Sequence, residues 1–290
     1  MLIGAILTGT IAWAVTQERP IINAFGVSES YNLYELWRAG ERDALIAAAD
    51  ETLETRPMQP DALALRGFAR FYAGMASNDT QERETLLGES IADLRRALLV
   101  DNPPMRGELH YILGKAYFHR GPFFYDLAVE ELQESMDRGL RREDMFEYLA
   151  VASVDLGRSE EAVGYLQEAL EVNPTAILYH TLGTTLLGMD RFDEAERALE
   201  EAVALSDDSF LLEQSRLTLG EIYRLTDDLD RAEGQYRMVL EENPRSADAH
   251  FALGEVYYER GDNESARFEW REAFRIDPNH LDALQRLQDG

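Results

Sequence analysis

Cysteine is absent from the 290 residues. That one absence removes disulfides, thiolate metal sites, thiol nucleophiles and a lipidated cysteine anchor. Lysine is almost absent too: Lys115 is the only one, so nearly all positive charge is arginine. Bases number 28 against 55 acids, and the formal charge of -27 opposes attraction to phosphate backbones or anionic headgroups. Nucleic acid is therefore not an expected partner. Patterns that carry chemistry are missing as well. His110, His119, His180, His250 and His280 never stand at i, i+4. No H-E-x-x-H, phosphate-binding loop, dinucleotide fingerprint or G-x-S-x-G elbow occurs, and Met189 stands where a loop opened by Gly183 and Gly188 would need lysine. No catalytic residue, cofactor or metal site is expected. Acidic pairs such as Glu160 with Glu161 and Glu200 with Glu201 read as the solvated faces of amphipathic helices.

What is present is enough apolar material for a continuous core: 45% hydrophobic residues and 10% aromatics. Leu2 to Val15 is uncharged and mostly apolar, shorter than the roughly 20 residues of a spanning helix but the length of a signal-peptide core. Ala12, Trp13 and Ala14 form an A-x-A pattern, yet no Lys or Arg precedes the run. Three readings stay open: a cleaved export signal, an uncleaved membrane tether, and an apolar first helix buried by the rest. Export or anchoring is preferred, which would place the body on the extracytoplasmic, periplasm-facing side, with a cytoplasmic location as the alternative.

From about residue 105 the sequence repeats with a period near 34. The clearest unit has Leu253, Gly254 and Tyr257, a turn at Gly261, then Ala266, Trp270, Ala273 and Pro278. Before it come Leu219, Gly220, Tyr223, Ala232, Tyr236 and Pro244, with Gly220 one full period ahead of Gly254. Leu182, Gly183, Leu186, Ala195, Leu199 and Ala202 repeat the order, as do Leu149, Ala150, Ala162, Leu166, Ala169 and Pro174. A fifth unit has Leu113, Gly114 and Tyr117, but its alanine, Ala128, arrives two residues late. Upstream, Asp61–Gly74 and Glu89–Val100 read as a helix pair split by an enlarged polar connection from Ala76 to Thr85, and Tyr31–Ala39 with Glu41–Thr55 as another. Small residues at fixed places let antiparallel helices approach, large ones fill between them, and the prolines end the second helices.

This ordered signature resembles the tetratricopeptide-repeat (TPR) family. The resemblance implies an all-α fold, a right-handed α-solenoid of stacked antiparallel helix pairs. It divides the chain into 1–29, an apolar signal or anchor segment and linker; 30–104, degenerate TPR-like pairs; and 105–290, five units closed by a short cap over Leu281–Leu287. It further implies that the first helix of each pair lines a concave surface that receives a peptide or helix of a partner protein. Mapped onto this chain, the lining is Tyr111, Lys115, Phe118 and His119; Glu147, Val151, Val154 and Asp155; His180, Thr184 and Leu187; Leu217, Glu221 and Arg224; and Phe251, Glu255, Tyr258 and Glu259. For each of these, groove and core remain open alternatives. The mixture of aromatics, aliphatics and acids suits a partly apolar, net basic segment. A clamp for a chaperone's acidic tail, known in the family, is not expected, because only Lys115 and Arg224 among these places are basic. Phe123, Phe124 and Tyr125, three aromatics in the widened turn, are either a docking element or filler folded into that turn. The expected function is a non-enzymatic scaffold organising a cell-envelope assembly. The alternatives are a cytosolic adaptor or chaperone-like carrier, or a regulatory subunit of an enzyme. Oligomeric state is left open.

Overall fold

The computed structural model describes residues 27–289, and the expectations for Leu2 to Val15 lie outside them. Among the described residues fifteen α-helices follow one another: α1 Val27–Ala39, α2 Arg42–Thr55, α3 Pro60–Ala76, α4 Thr80–Leu98, α5 Arg106–His119, α6 Tyr125–Asp137, α7 Met145–Asp155, α8 Ser159–Val172, α9 Ala176–Leu187, α10 Phe192–Leu205, α11 Ser209–Leu225, α12 Leu229–Glu242, α13 Ala247–Glu259, α14 Asn263–Ile276 and α15 Leu281–Asp289. Odd and even helices pair as antiparallel hairpins, with α15 packed on α14. Each second helix also touches the next first helix, from α2 on α3 to α12 on α13, so the all-α solenoid is continuous. The core is correspondingly one elongated cluster running from Leu33 to Val256.

Local sequence explains the ends of these helices. Asp79, Asp208, Ser246 and Asp262 cap helix starts by accepting the amide N–H three residues on. Within the pairs, the turns use Gly40, Gly157, Asp190, Asp227 and Gly261 at positive φ. Just past each, an amide reaches back into the first helix, as from Asp262 to the Tyr257 carbonyl at 2.8 Å.

The spacing of glycine to bulky residue sets how closely the paired helices approach. A Cβ on Gly183, Gly220 or Gly254 would lie 2.5, 2.3 or 2.5 Å from Leu199, Tyr236 or Trp270 of the partner helix. The interval along the chain is the same in all three couples. Ala150 and Leu166 stand at the same places, both buried. Gly114 meets Leu132 instead, at a longer interval, because the extra residues form a 3-10 turn at Pro122–Phe124. Gly67 meets Leu94 across a longer interval still.

The second pair corrects the expected enlarged loop: α4 begins at Thr80, so only residues 77–79 connect it to α3 and the extra residues are helix. Asp79 caps that longer start, and Arg83 Nη2 ties it back to the Ser77 carbonyl at 2.8 Å. Both amino-terminal pairs are regular hairpins. Their distinguishing feature is polar: Arg66 donates from Nε and Nη2 to the two oxygens of Asp93 at 2.8 and 2.6 Å, and also reaches Asp50 of α2. Arg70 joins Asp93 at 2.5 Å. Asp93 is almost fully buried, so this bidentate pairing satisfies a charge that would otherwise be costly in the interior.

Candidate binding surface

First helices touch the first helices of neighbouring pairs: α1 with α3, α3 with α5, α5 with α7, α9 with α11, and α11 with α13. They make one layer and the second helices the other. On the first-helix layer, the structure gathers the densest chemistry between α1 and α7. Lys115 Nζ donates to Asp144 Oδ2 at 2.7 Å and to the Tyr111 hydroxyl at 3.2 Å, while Tyr111 donates to Asp144 Oδ1 at 2.6 Å. The ammonium also lies 5.0 Å from the centroids of Tyr111 and Tyr148 and 5.8 Å from Phe71. The chain's only lysine is thus held in a cage of rings with one carboxylate as counter-ion. Trp37 sits 5.8 Å from Phe68 and 5.9 Å from Tyr72, and the Arg42 guanidinium lies 5.7 Å from the Tyr72 ring.

Burial governs ionisation here. It pushes the hydroxyls of Tyr72, Tyr111 and Tyr148 up, with Asp144 adding to the effect, so all three stay neutral donors. His119 is pushed down to about 4 by burial and by the charges of Lys115 and Arg83. It is neutral at pH 7, 3.4 Å from the Tyr148 hydroxyl. Burial raises the Glu147 carboxyl, with Asp144 nearby adding to it.

The sequence-derived residues fall into distinct settings. Tyr111, Lys115, Phe118 and His119 do come together. Phe118, however, is buried against Tyr125, Tyr148 and His119, and packs rather than lines. Val151, Leu187 and Leu217 are half-buried against the core. His180 shares its Nδ1 with the buried Ser215 hydroxyl at 3.0 Å, and burial lowers its pKa. Arg224 is held by Glu221 and Glu259 at 2.7 and 2.5 Å, so those inner acids are internally paired. Glu255 is likewise taken by Arg286 of α15, at 2.9 Å from Nε. Phe251 meets His280 at 4.9 Å, whereas Tyr258 remains 47% exposed.

The three turn aromatics split. Tyr125 is buried and stacked on Phe118 at 4.9 Å; Phe124 is half-buried, stacked on Tyr117 and covered by Arg120 at 4.6 Å; Phe123 stands 87% exposed. Trp37, Tyr72 and Asp144 are half-buried on the same surface, Phe71 and Tyr148 are buried beneath it as Phe118 is, and reading the repeat alone passes over all five. The available signal was Gly67: Phe71 and Tyr72 follow it by the intervals that separate Phe118 and His119 from Gly114.

No group of three or more His, Asp or Glu residues suited to a metal occurs among the described residues, and no helix there is long and apolar enough to cross a membrane.

Sequence models described as tetratricopeptide repeat match residues 149–175, 174–241 and 217–280. Residues 149–280 carry tetratricopeptide repeats. Among curated proteins, the chain is 24% identical over 227 residues to anaphase-promoting complex subunit 3 of Schizosaccharomyces pombe, covering 77% of this chain. It is 26% identical over 130 residues to BBSome complex member BBS4 of Bos taurus, covering 44%. The chain spans only 31% and 24% of those two proteins' lengths. Among solved structures, the C-terminal part of a TPR repeat-containing protein from Cytophaga hutchinsonii covers 89% of this chain and 99% of its own, with 15% identity and a TM-score of 0.59. MamA 41-end from Desulfovibrio magneticus RS-1 covers 61% and 97%, with 18% identity and a TM-score of 0.53. The APC/C hetero-tetramer Cut9–Hcn1 contributes a chain matched over 92% of this one and 49% of its own, at 18% identity and a TM-score of 0.51. At these identities the likeness to the solved structures is one of fold.

Proposed function

We propose that this chain is a non-enzymatic scaffold that holds a segment of a partner protein along its first-helix layer, anchored between α1 and α7. The observation that carries the reading is the placement, on three successive first helices, of half-buried Trp37, Tyr72 and Lys115, the last held over the buried rings of Phe71, Tyr111 and Tyr148. Rigid aromatics offer large contact area at little entropic cost. The curated relatives support the coarse statement, since both are named as parts of multi-protein complexes. Val151, His180, Leu187, Leu217, Arg224, Phe251 and Tyr258 extend the surface along the later units. The segment is partly apolar, and the overall charge of -27 favours the approach of a basic one. Phe123 is the exposed member of the widened turn and a secondary contact.

An extracytoplasmic, envelope-associated setting rests on the apolar run Leu2 to Val15. Fractionation with protease accessibility separates it from a cytosolic adaptor. The binding surface is tested by site-specific photo-crosslinking in the native cell, with the crosslinker at Tyr72, Val151 and Leu187 on first helices and at Glu130, Glu168 and Glu200 on second helices. One polypeptide captured at the first-helix positions and not at the others is expected. Capture confined to the second-helix positions would remove the proposal.

A further inference from the structure

One step of the first-helix layer is open. Between α1 and α13 each first helix packs on the next except at a single place: α7 and α9 do not approach closely. The repeat register shows what that leaves uncovered. Ser215 of α11 meets His180 of α9, and Ile222 follows it by two helical turns, so the place just after the repeat glycine on that side faces the preceding first helix. That place is buried at Ala69, Ala116, Ala152, Ile222 and Val256. On α9 it is Thr185, which is only half-buried, as is Thr181 one turn earlier. The facing positions on α7 are Val151 and Val154, also half-buried. They stand where α5 has Lys115 and Phe118, which both reach the Tyr148 ring of the next first helix at 5.0 and 4.9 Å. Two valines are too short to span the same distance, and a slot remains.

The walls of the slot carry no charge. Among the described α-helices, α9 is the one without Asp, Glu, Lys or Arg. Thr181 and Thr185 donate their hydroxyls to the carbonyls of Ile177 and Thr181 at 2.8 and 2.7 Å, and Thr184 to that of His180 at 3.0 Å, so an incoming group meets their methyls. His180 is turned toward Ser215 and kept neutral by burial. Charge returns at the two ends of the α7 wall. Glu147 is half-buried at one end, hydrogen-bonded by the Asn173 side chain, and Asp155 is exposed at the other. Neither makes an ion pair among the described residues. Farther along the layer the acids are taken: Glu221 and Glu259 by Arg224, and Glu255 by Arg286.

Resting on the reading of the first-helix layer as the binding surface, we propose that this slot receives a row of aliphatic side chains from the partner's segment, with a basic residue at each end set against Glu147 and Asp155. A charge within the row would lose its hydration among the methyls of Val151, Val154, Ile177, Thr181 and Thr185 and find no counter-ion there, whereas aliphatic groups bury apolar area against both walls. The rise of a helix puts Glu147 and Asp155 about 12 Å apart along α7. The two bases of the segment match that span at i and i+8 on a helix, or at about i and i+4 on an extended strand. Spacing and an uncharged middle thus select the segment, beyond its net charge.

The test uses the full chain and synthetic peptides with arginines at those spacings, in stapled helical and extended forms, each with leucine or glutamine in the row between. Binding is followed on the methyl NMR signals of wild type, Thr185→Lys and Asp155→Arg, whose folds are checked by thermal melting. A leucine peptide should bind wild type at least about tenfold more tightly than its glutamine counterpart and shift the methyls of Val151, Val154, Ile177 and Thr181. Thr185→Lys should abolish that preference. Asp155→Arg, at an exposed site outside the walls, should weaken the leucine peptide by about twofold to fivefold and keep the preference. Equal binding of the two peptides, no binding, a preference that Thr185→Lys keeps, or unchanged affinity in Asp155→Arg overturns the proposal. Leucine peptides that shift only methyls of α1 to α5 overturn it too, but leave the first-helix layer as the binding surface; shifts confined to second helices remove both.

Discussion

At the scale of single residues, the ion pairs of the first-helix layer make testable demands. Lys115→Met keeps the packing of the stem but leaves Asp144 with the Tyr111 hydroxyl as its hydrogen-bond donor from α5. Asp144 is about a third exposed, so the loss is about 1–2 kcal/mol rather than the several expected of a fully buried pair. Adding Asp144→Asn should recover part of it, as read by urea denaturation of the single and double variants. His119 gives a pH signature. Its folded pKa of about 4 lies below the unfolded 6.5, so the unfolded chain binds the extra proton between those values. Above pH 6.5 the group contributes nothing, and as pH falls toward 4 stability declines by about 3 kcal/mol on its account. Lys115 and Arg83 oppose its protonation while Asp144 favours it, and the phenol of Tyr148 stays neutral. Wild type and His119→Phe melted at pH 7, 6 and 5 should diverge in slope, the variant being flatter; parallel curves would show that the imidazole is not held neutral. Sequence alone located Tyr111, Lys115 and His119 because they flank Gly114 at repeat spacing. It missed Asp144 and Tyr148 because they reach this cluster from the next pair, across a loop whose length the repeat does not set.

At the scale of helices, the close contact of glycine with a bulky residue makes opposite predictions for glycines that look alike in sequence. Gly220→Ala places a methyl 2.3 Å from the fully buried Tyr236 ring and should cost about 1–3 kcal/mol through overpacking. Gly164→Ala, on α8 with nothing within 4 Å of the added carbon, should stabilise by about 0.5–1 kcal/mol through helix propensity. Chemical denaturation of the two variants checks both signs, and a neutral Gly220→Ala would mean that the helix pair separates without penalty. The same contact explains what was legible. Couples at the common interval, such as Gly183 with Leu199, announce themselves. Gly67 with Leu94 does not, because α4 is extended at its start and the interval lengthens, while the contact, with an added Cβ 2.7 Å from Leu94, is the same kind. A polar stretch such as Thr80 to Glu84 resembles a loop when its local support is little more than the Asp79 cap.

At the scale of the whole molecule, each pair is stabilised by its neighbours, so protection from hydrogen exchange should be greatest in the middle and least at the ends. The carboxy-terminal end has a specific guard. α15 buries Ala283, His280 just before the helix packs its ring at a tilt against Phe251, and Arg286 reaches Glu255 and lies over Tyr258 and Trp270. Removing residues 281–290 leaves Glu255, which is itself largely buried, without its arginine and uncovers one face of α13 and α14. Amide protection in α13 and α14 should then fall by more than tenfold, on the order of 1.4 kcal/mol or more, while α5 and α6, several pairs away, keep theirs. Arg286→Ala isolates the ionic part and should lower protection in α13 by less than the truncation does. If truncation instead lowers protection equally in α5 and α14, the chain unfolds as one cooperative block, and the nearest-neighbour description fails for an array whose core runs unbroken from Leu33 to Val256.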